Sequence, residues 1–496
     1  MNNRGIGRYG LDVTNYRLVG RIFGLLLIIE GLLLLLPMLV CIMYGESDWQ
    51  AFAITMTMAL TVGLTIRYFT RDIKGRMLYR REGYIVTSGA WVLFTFFGMI
   101  PFMLSTTPLD MTDAFFETMS GFTTTGASVI GDVDAQSHGI LMWRAQTQWT
   151  GGLGIVLFML ALLPSLNQSS SLPMFNAEIT GVTHDKLHPR IRQTAKSLWI
   201  VYGTLTFMMI VFLMIGPMDW FDAVCHSFST LSTGGFSTHN EGVSYWHSDY
   251  VAVVMSVFML MGGINFILLY NVRRGMIKPL WRNDVSRSYI ILVFLFVILI
   301  SVSLLSDGYS GLSDLVIRPL FLVSSAITST GYTYGNFELW GVVIFMLVVV
   351  MMIIGACAGS TTGGMKMDRV LALWKNMKGQ TYKTLHPNHI EYVRLNDRVV
   401  GHETMSRIAA FGMSYMLMII LGTLAICAMG VDFDDSLFAV VSGIGNSGLG
   451  YGLTGVEGGF GLLPAGAKWV LSILMLVGRL EIFTITVLFT TSFWRR

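Results

Sequence analysis

The stretch DAFFETMSGFTTTGAS, residues 113–128, is the first of four blocks that align without gaps and decide the fold. The other three are DAVCHSFSTLSTGGFS (222–237), RPLFLVSSAITSTGYT (318–333) and DSLFAVVSGIGNSGLG (435–450). Every block has a serine at its eighth position and a glycine at its fourteenth, as in Ser120 and Gly126 of the first. Self-similarity at matched positions is the signature of an internal repeat. The chain is therefore predicted to contain four copies of one structural unit.

The composition places these units in a lipid bilayer. Of the 496 residues, 53% are hydrophobic and 13% are charged, which is too apolar for a soluble protein of this length. Hydropathy predicts ten spans, at residues 19–43, 48–70, 83–104, 140–164, 195–216, 249–272, 287–306, 339–359, 407–430 and 467–491. Four apolar stretches are too short to span and run into Gly, Ser or Thr, which predicts re-entrant half-helices. These stretches are 112–123, 219–232, 314–328 and 434–445.

The distribution of basic residues predicts the orientation, because basic loops stay cytoplasmic. In a ten-span chain, one side carries only Arg144, Arg318 and Lys468, while Arg479 lies inside the last span. The rest of the 33 basic residues fall on the other side, so both termini are predicted to be cytoplasmic. The outer loops are acidic, which raises the local concentration of cations. Their carboxylates are Asp110, Asp113, Asp132, Asp134, Asp219, Asp222, Glu241, Asp432, Asp434 and Asp435.

Each block follows one predicted span and precedes another, so the unit is helix, half-helix with a Gly/Ser/Thr loop, and helix. All units share one orientation, which favours a central pore, whereas inverted repeats would indicate alternating access. The predicted fold class is an all-α membrane protein with four parallel repeats around a central pore, preceded by two extra transmembrane helices. The predicted boundaries are 1–81 for those two helices and 82–170, 171–275, 276–376 and 377–496 for the repeats.

The Gly/Ser/Thr loops are predicted to line the pore. Irregular backbone at membrane depth occurs only where it lines water or is buried in protein, and its carbonyl oxygens can replace an ion's hydration shell. Glycine permits the backbone conformations that aim carbonyls inward, and the negative end of the preceding half-helix favours a cation. A Gly/Ser patch can instead serve close helix packing. That interpretation is kept for Gly151, Gly152, Gly262 and Gly263, which lie inside predicted spans.

Beyond the blocks, three further stretches resemble a known family. They are FNAEITGVTHDKLHPRIRQTAKSLW from Phe175, GACAGSTTGGMK from Gly355 and GRLEIFT from Gly478. With the four blocks, they resemble the Trk/Ktr/HKT superfamily of K⁺ transporters, and within it the membrane subunits of bacterial Trk potassium-uptake systems. The resemblance runs from the first span to the terminal FWRR. It implies a pseudo-fourfold assembly similar to a K⁺ channel on one chain, with one filter strand from each repeat.

The resemblance also implies which carbonyls coordinate K⁺. They belong to Thr124, Thr125, Gly126, Thr233, Gly234, Gly235, Ser329, Thr330, Gly331, Asn446, Ser447 and Gly448. In the superfamily, a serine in place of the first filter glycine goes with Na⁺ preference. Here that position is Gly126 and all four glycines are present, which favours K⁺. The fourth strand, GNSGLG, departs most from the others.

A gate is the second functional element that the sequence indicates. The glycine-rich stretch after the third repeat cannot hold a regular span, and the family resemblance implies an intramembrane loop, 355–364, that obstructs the pore; packing at a helix kink is the alternative. The resemblance also places Arg479 in the pore below the filter, where its charge opposes cations, whereas a structural pair with Glu481 is the alternative. The implied gate residues are Gly355, Gly359, Ser360, Thr361, Thr362, Gly363, Gly364 and Arg479.

The expected function is uptake of K⁺ across the bacterial inner membrane through a gated, channel-like pore. The alternative is a K⁺/H⁺ or K⁺/Na⁺ symporter, for which Glu117 and His226 are the candidate coupling residues; both also read as ordinary outer-facing polar residues. An enzyme is not expected, because the chain has no HExxH or GxSxG motif.

The expected partners follow from the resemblance. It implies a cytosolic regulatory subunit that binds NAD or ATP, and a homodimer of this chain in the lipid bilayer. The chain itself has no GxxxxGK[ST] motif and no GxGxxG between a strand and a helix, so it is expected to bind no nucleotide. K⁺ is the expected transported ion, and no nucleic acid is expected to bind.

Overall fold

The computed structural model describes residues 15–71, 79–154, 191–388, 392–396, 398–455 and 458–494. This part of the chain is almost entirely helical. Its one antiparallel hairpin pairs β1 (Arg394–Leu395) with β2 (Arg398–Val399). The predicted all-α class is confirmed. The stretch from Phe175 to residue 190 and the terminal Arg495 and Arg496 lie outside the described residues.

Two candidate spans precede the first repeat unit, as predicted. The first consists of α1 (Tyr16–Leu33) and α2 (Leu35–Tyr44), and the second is α3 (Trp49–Phe69). The two spans approach closely at Gly24 and Gly63, because a Cβ on either glycine would lie within 3 Å of the other's carbonyl oxygen. Small residues permit this backbone contact between membrane helices.

The first helix of each unit is long. In units 1 to 4 these helices are α4 (Arg80–Gly98) with its continuation α5 (Ile100–Leu104), α8 (Ile191–Ile215), α13 (Asp284–Ser306) and α17 (His402–Cys427). With the two N-terminal spans, they give six helices in the described residues that are long and apolar enough to cross a membrane.

A short helix follows in every unit, as the half-helix prediction required. The four short helices are α6 (Met111–Phe122), α9 (Trp220–Leu231), α14 (Arg318–Ile327) and α18 (Phe433–Ile444). Aspartate caps begin two of them, because the carboxylates of Asp110 and Asp219 accept from the backbone N–H groups of Asp113 and Asp222 at 2.7 Å. A π-helical turn, Ser313–Ile317, precedes α14.

The second helices of units 2 and 4 are bent, so the prediction of continuous spans at 249–272 and 467–491 was wrong. The second helices are α7 (His138–Gly152), α10 (Asp249–Gly262) with α11 (Phe266–Arg273), α15 (Val342–Ile354), and α19 (Ala465–Arg479) with α20 (Ile482–Thr486). In unit 3 the helix ends at the predicted break. The bends are 106° in unit 2 and 110° in unit 4. Left-handed backbone ends two of these helices, with φ of 69° at Gly355 and 61° at Glu481. Residues 155–164 of the first such span lie outside the described residues.

Three helices complete the described fold: α12 (Lys278–Arg282), α16 (Met367–Leu385) and α21 (Thr491–Trp494). Short 3₁₀ turns occur at Gly242–Trp246, Phe337–Trp340, Gly452–Thr454, Phe460–Leu462 and Val487–Phe489. Helix α16 follows the glycine-rich stretch of unit 3 and packs against α13 and α17.

The short helices and second helices of the four units contact one another in a closed circle. Helix α6 packs on α7, α7 on α9, α9 on α10, and α10 on α14. The circle continues from α14 to α15, α18 and α19, and α19 packs back on α6. The units therefore follow one another around a common axis in chain order, and the loop after each short helix lies inside the circle.

Candidate ion-binding site

The loops after the four short helices share one unusual backbone conformation. We call residues 124–126, 233–235, 329–331 and 446–448 the glycine loops. In each loop the first and third residues have positive φ, and the first is not glycine. The φ angles are 56° and 85° for Thr124 and Gly126, 55° and 84° for Thr233 and Gly235, 53° and 90° for Ser329 and Gly331, and 50° and 70° for Asn446 and Gly448. Positive φ at a non-glycine residue is strained and concentrates at functional sites.

The hydrogen bonds of the glycine loops are also repeated. The backbone N–H of the middle residue donates to the carbonyl of the block's serine, at 2.8 Å from Thr125 to Ser120 in unit 1. The same bond measures 2.7 Å from Gly234 to Ser229, 2.8 Å from Thr330 to Ser325 and 2.8 Å from Ser447 to Ser442. The described residues supply no hydrogen-bond donor to the carbonyl oxygens of the four glycine loops. These carbonyls are left for another partner.

The four glycine loops form a closed ring. A Cβ on Gly126 would collide with the carbonyl oxygen of Gly234 in the next unit. A Cβ on each of the other three glycines would collide in the same way with the next loop in order. Gly235 would meet the carbonyl of Thr330, Gly331 that of Ser447, and Gly448 that of Thr125. Each glycine thus lets the neighbouring loop approach, and this explains why the block position needs a residue without a side chain.

A cavity of about 240 Å³ opens on one side of this ring, lined by its four glycines and by the loops that follow them. Near its rim, Asn240 donates a hydrogen bond of 2.9 Å to the carboxylate of Asp132. This bond lowers the pKa of Asp132, which keeps its carboxylate charged. His239 lies between the carboxylates of Asp134 and Asp222 at 2.7 and 3.2 Å.

Arg479 lies next to the glycine loop of unit 1. Its Nη1 donates to Oγ1 of Thr124 at 3.1 Å and to the carbonyl of Thr361 at 2.7 Å. Its Nη2 donates to the carbonyls of Gly151 and Gly152, both at 2.6 Å. The packing interpretation of Gly151 and Gly152 was therefore incomplete, because these glycines end α7 and present their carbonyls to the guanidinium. The guanidinium thus links the glycine loop of unit 1 to the end of α7 and to residues 355–364.

The stretch 355–364 is irregular, as predicted, and it contacts units 2 and 4 next to their glycine loops. The hydroxyl of Thr361 lies 3.3 Å from that of Thr233 in the glycine loop of unit 2. Two residues further on, a Cβ on Gly363 would collide with the carbonyl of Gly445, next to the glycine loop of unit 4. Residues 355–364 and Arg479 together contact three of the four units directly below the glycine loops.

The break in the second helix of unit 2 anchors this stretch, a feature that the sequence interpretation missed. Nδ2 of Asn265 donates to the carbonyl of Ala358 at 2.8 Å. The backbone N–H of Phe266 donates to the carbonyl of Gly359 at 3.0 Å. Gly263, assigned to packing, also accepts from the N–H of Cys357 at 3.0 Å. The asparagine two residues after a Gly-Gly pair was the available sequence signal.

Glu481 forms an ion pair with a residue that the sequence did not single out. Its Oε1 lies 2.6 Å from Nη2 of Arg369, and the Arg369 guanidinium lies 4.1 Å from the ring centre of Phe411. The ion pair links the bend between α19 and α20 to the start of α16. Glu481 therefore stabilises the bend next to Arg479.

Glu117 and His226 are not outer-facing polar residues, because both are fully buried behind the glycine loops. Glu117 accepts a hydrogen bond of 2.8 Å from Nε of Arg144. His226 lies 3.1 Å from Oγ of Ser237. The sequence interpretation counted Arg144 only among outer basic residues and missed its place beside the loops.

Comparisons with known proteins agree with this architecture. The chain matches the family model described as TrkH: Cation transport protein over residues 49–496. It is 36% identical over 485 residues to the Trk system potassium uptake protein TrkH of Escherichia coli (strain K12), covering 97% of this chain and 100% of the relative. It is 34% identical over 488 residues to the Trk system potassium uptake protein TrkG of the same strain, covering 98% and 100%.

A solved structure is similar as well. The crystal structure of the potassium transporter TrkH from Vibrio parahaemolyticus matches with a TM-score of 0.88 and 32% identity, over 97% of this chain and 100% of that one. The apolar helices and the buried ring of loops define a polytopic membrane transport protein. The chain belongs to the TrkH family of cation transport proteins. This family consists of transporters rather than enzymes.

Proposed function

We propose that this chain takes up K⁺ through a gated, channel-like pore in the bacterial inner membrane, with both termini in the cytoplasm. The observation that carries the proposal is the closed ring of glycine loops, whose carbonyls lack hydrogen-bond donors in the described residues. Unpaired buried carbonyls are costly, and a dehydrated monovalent cation on the axis satisfies several of them at once. The relatives' names as potassium uptake proteins support K⁺ as the ion.

The twelve residues of the glycine loops are the proposed selectivity filter. Positive φ at alternate positions of each loop lets successive carbonyls face one side of the strand, which a column of coordination sites requires. The middle N–H groups donate backwards to the short helices, so they point away from the carbonyl face. The short helices direct the negative ends of their dipoles towards the ring, which favours a cation there. Glycine at all four matched positions supports K⁺ over Na⁺.

Arg479 and residues 355–364 are the proposed gate. They lie directly below the glycine loops, and they contact Thr124 in unit 1 and Thr233 in unit 2. A fixed guanidinium there opposes a passing cation by charge, and the loop opposes it by occupying the path. Opening requires the Arg479 contacts to Thr361, Gly151 and Gly152 to be exchanged or released.

Coupled K⁺/H⁺ or K⁺/Na⁺ symport is the competing mechanism. Its candidate Glu117 already accepts hydrogen bonds from Arg144, Ser128 and the N–H of Val129. A carboxylate engaged by three donors serves the structure rather than a coupling ion. This arrangement favours channel-like passage driven by the membrane potential, which supplies about 2.3 kcal/mol for each charge per 100 mV.

A cytosolic subunit that binds NAD or ATP is the proposed regulator, and a homodimer is the proposed assembly. The relatives belong by name to Trk systems, which supports a partner subunit. Helix α16 is a suitable transmission element, because its start holds Glu481 through Arg369 and its exposed part reaches Leu385. A force on α16 therefore acts on the bend that carries Arg479.

Flux measurements in liposomes test the proposed function. Purified protein in K⁺-loaded or Na⁺-loaded vesicles is expected to carry K⁺ and Rb⁺ down their gradients at least about tenfold faster than Na⁺, as carbonyl filters do. The flux is expected to follow the imposed membrane voltage without moving protons. A flux that requires a proton or Na⁺ gradient would establish symport, and equal K⁺ and Na⁺ flux would contradict the filter.

A further inference from the structure

A buried ion pair lies behind the glycine loops of units 1 and 2. Nε of Arg144 is 2.8 Å from Oε1 of Glu117, and their side chains are 2% and 0% exposed. Arg144 is on α7 and Glu117 on the short helix α6. A buried ion pair is a weak contributor to stability but a strong constraint on geometry, because both charges must keep their partners.

The remaining polar atoms of the pair reach both neighbouring loops. In unit 1, Oε2 of Glu117 accepts from the N–H of Val129 at 2.8 Å, and Nη2 of Arg144 donates to Oγ of Ser128 at 3.0 Å. In unit 2, Nη1 of Arg144 donates to the carbonyl of Ser237 at 2.9 Å. These contacts lie two or three residues beyond the filter glycine of each unit.

The same guanidinium also covers an aromatic ring of unit 2. It lies 4.2 Å from the ring centre of Phe236, the residue that follows Gly235. The hydroxyl of Tyr332 in unit 3 donates to the carbonyl of Phe236 at 2.9 Å. Arg144 is thus linked, through Phe236, to the strand of unit 3 as well.

The polar contacts behind the glycine loops are not the same in all four units. The block position of Glu117 is occupied by His226 in unit 2, which contacts Ser237, but by Leu322 in unit 3 and Ala439 in unit 4. Polar and charged side chains at this position therefore support units 1 and 2, whereas units 3 and 4 have apolar ones. The spacing between the loops of units 1 and 2 is set by the ion pair and its hydrogen bonds.

We propose that Arg144 and Glu117 are positioning residues for ion selectivity, which hold the glycine loops of units 1 and 2 at the separation that suits K⁺. This inference rests on the proposed function. Neither side chain contacts the ion; both act through Ser128, Val129, Phe236 and Ser237. A structural role alone would change the thermal stability of the protein, whereas a positioning role changes the K⁺/Na⁺ flux ratio.

The test uses the double variant Glu117→Gln/Arg144→Gln in liposomes, which removes both charges together and keeps hydrogen-bonding groups. K⁺ flux is expected to persist while the K⁺/Na⁺ flux ratio falls about tenfold, since the simultaneous contacts of the guanidinium to Glu117, Ser128 and Ser237 are lost. If this variant fails to assemble, Arg144→Lys carries the same test, because a lysine keeps the charge but cannot reach Glu117, Ser128 and Ser237 together.

The matched control is Asp113→Asn/Lys468→Met. This pair also joins two units, with Nζ of Lys468 2.5 Å from the Asp113 carboxylate, but it lies at the start of α6, away from the glycine loops. Its flux ratio is expected to match the wild type. A wild-type ratio in both double variants overturns the inference alone, as does an equal fall in both. Absence of selective flux in the wild type overturns the proposed function and the inference with it.

Discussion

Replacing Arg479 with alanine is expected to raise basal K⁺ flux in liposomes by about tenfold or more, which corresponds to a barrier lowered by about 1.4 kcal/mol. The guanidinium lies below the glycine loops and is held there by Thr124, Thr361 and two carbonyls of α7. Its removal takes away both the repulsion of the cation and the contact that fixes Thr361 in the path. The measurement is K⁺ flux at matched protein density, without any regulatory subunit.

Two variants separate the charge of Arg479 from the loop beneath the ring. Arg479→Lys keeps the charge, so its flux is expected to stay closer to the wild type. Asn265→Ala removes the hydrogen bond to Ala358, which is one of the anchors of residues 355–364, and leaves Arg479 in place, so a smaller rise is expected. Deleting residues 359–363 is expected to raise flux most. Equal or lower flux in Arg479→Ala would argue against a gate.

Replacing Gly126 with serine is expected to lower the K⁺/Na⁺ flux ratio about tenfold, because carbonyl filters depend on the placement of every oxygen. Gly126 has φ of 85°, and a Cβ there would collide with the carbonyl of Gly234. The serine therefore strains its own loop and displaces a coordinating oxygen of unit 2. The ratio is read from K⁺ and Na⁺ fluxes of the same preparation.

Gly131→Ser is the matched control for this substitution. Gly131 follows the same block, but nothing lies within 4 Å of a Cβ built there. Its flux ratio is expected to equal that of the wild type. Gly235→Ser repeats the test in unit 2, where the Cβ would collide with the carbonyl of Thr330. Unchanged ratios in both Gly126→Ser and Gly235→Ser would remove these loops from the selectivity mechanism.

The short helices and the irregular loops were predictable because their signals are local. Each block repeats an apolar run of about three turns before Gly, Ser and Thr, and the structure has α6, α9, α14 and α18 there. The loop 355–364 was predictable for the same reason, because no regular helix accommodates so many glycines. The pore-lining role of the block loops was predicted from their composition, whereas the twelve coordinating residues and the gate role of residues 355–364 came from the resemblance.

The breaks in the second helices were not predictable from hydropathy. An apolar average is the same for a straight span and for one bent by 106° between Gly262 and Phe266. The bend depends on carbonyls that pair with a distant segment, such as Gly263 with Cys357. Likewise, the charge of Arg479 was visible in the sequence, but its acceptors Gly151 and Gly152 are more than 300 residues away.

The positions of bound cations show directly whether the four glycine loops form the ion-binding site. Crystals of this protein grown in Rb⁺ or Tl⁺ give anomalous scattering that marks each ion. We expect peaks on the axis of the ring, between the carbonyls of Thr125, Gly234, Thr330 and Ser447, with weaker peaks when Gly126 is replaced by serine. Bound ions elsewhere in the protein, with none inside the ring, would contradict it.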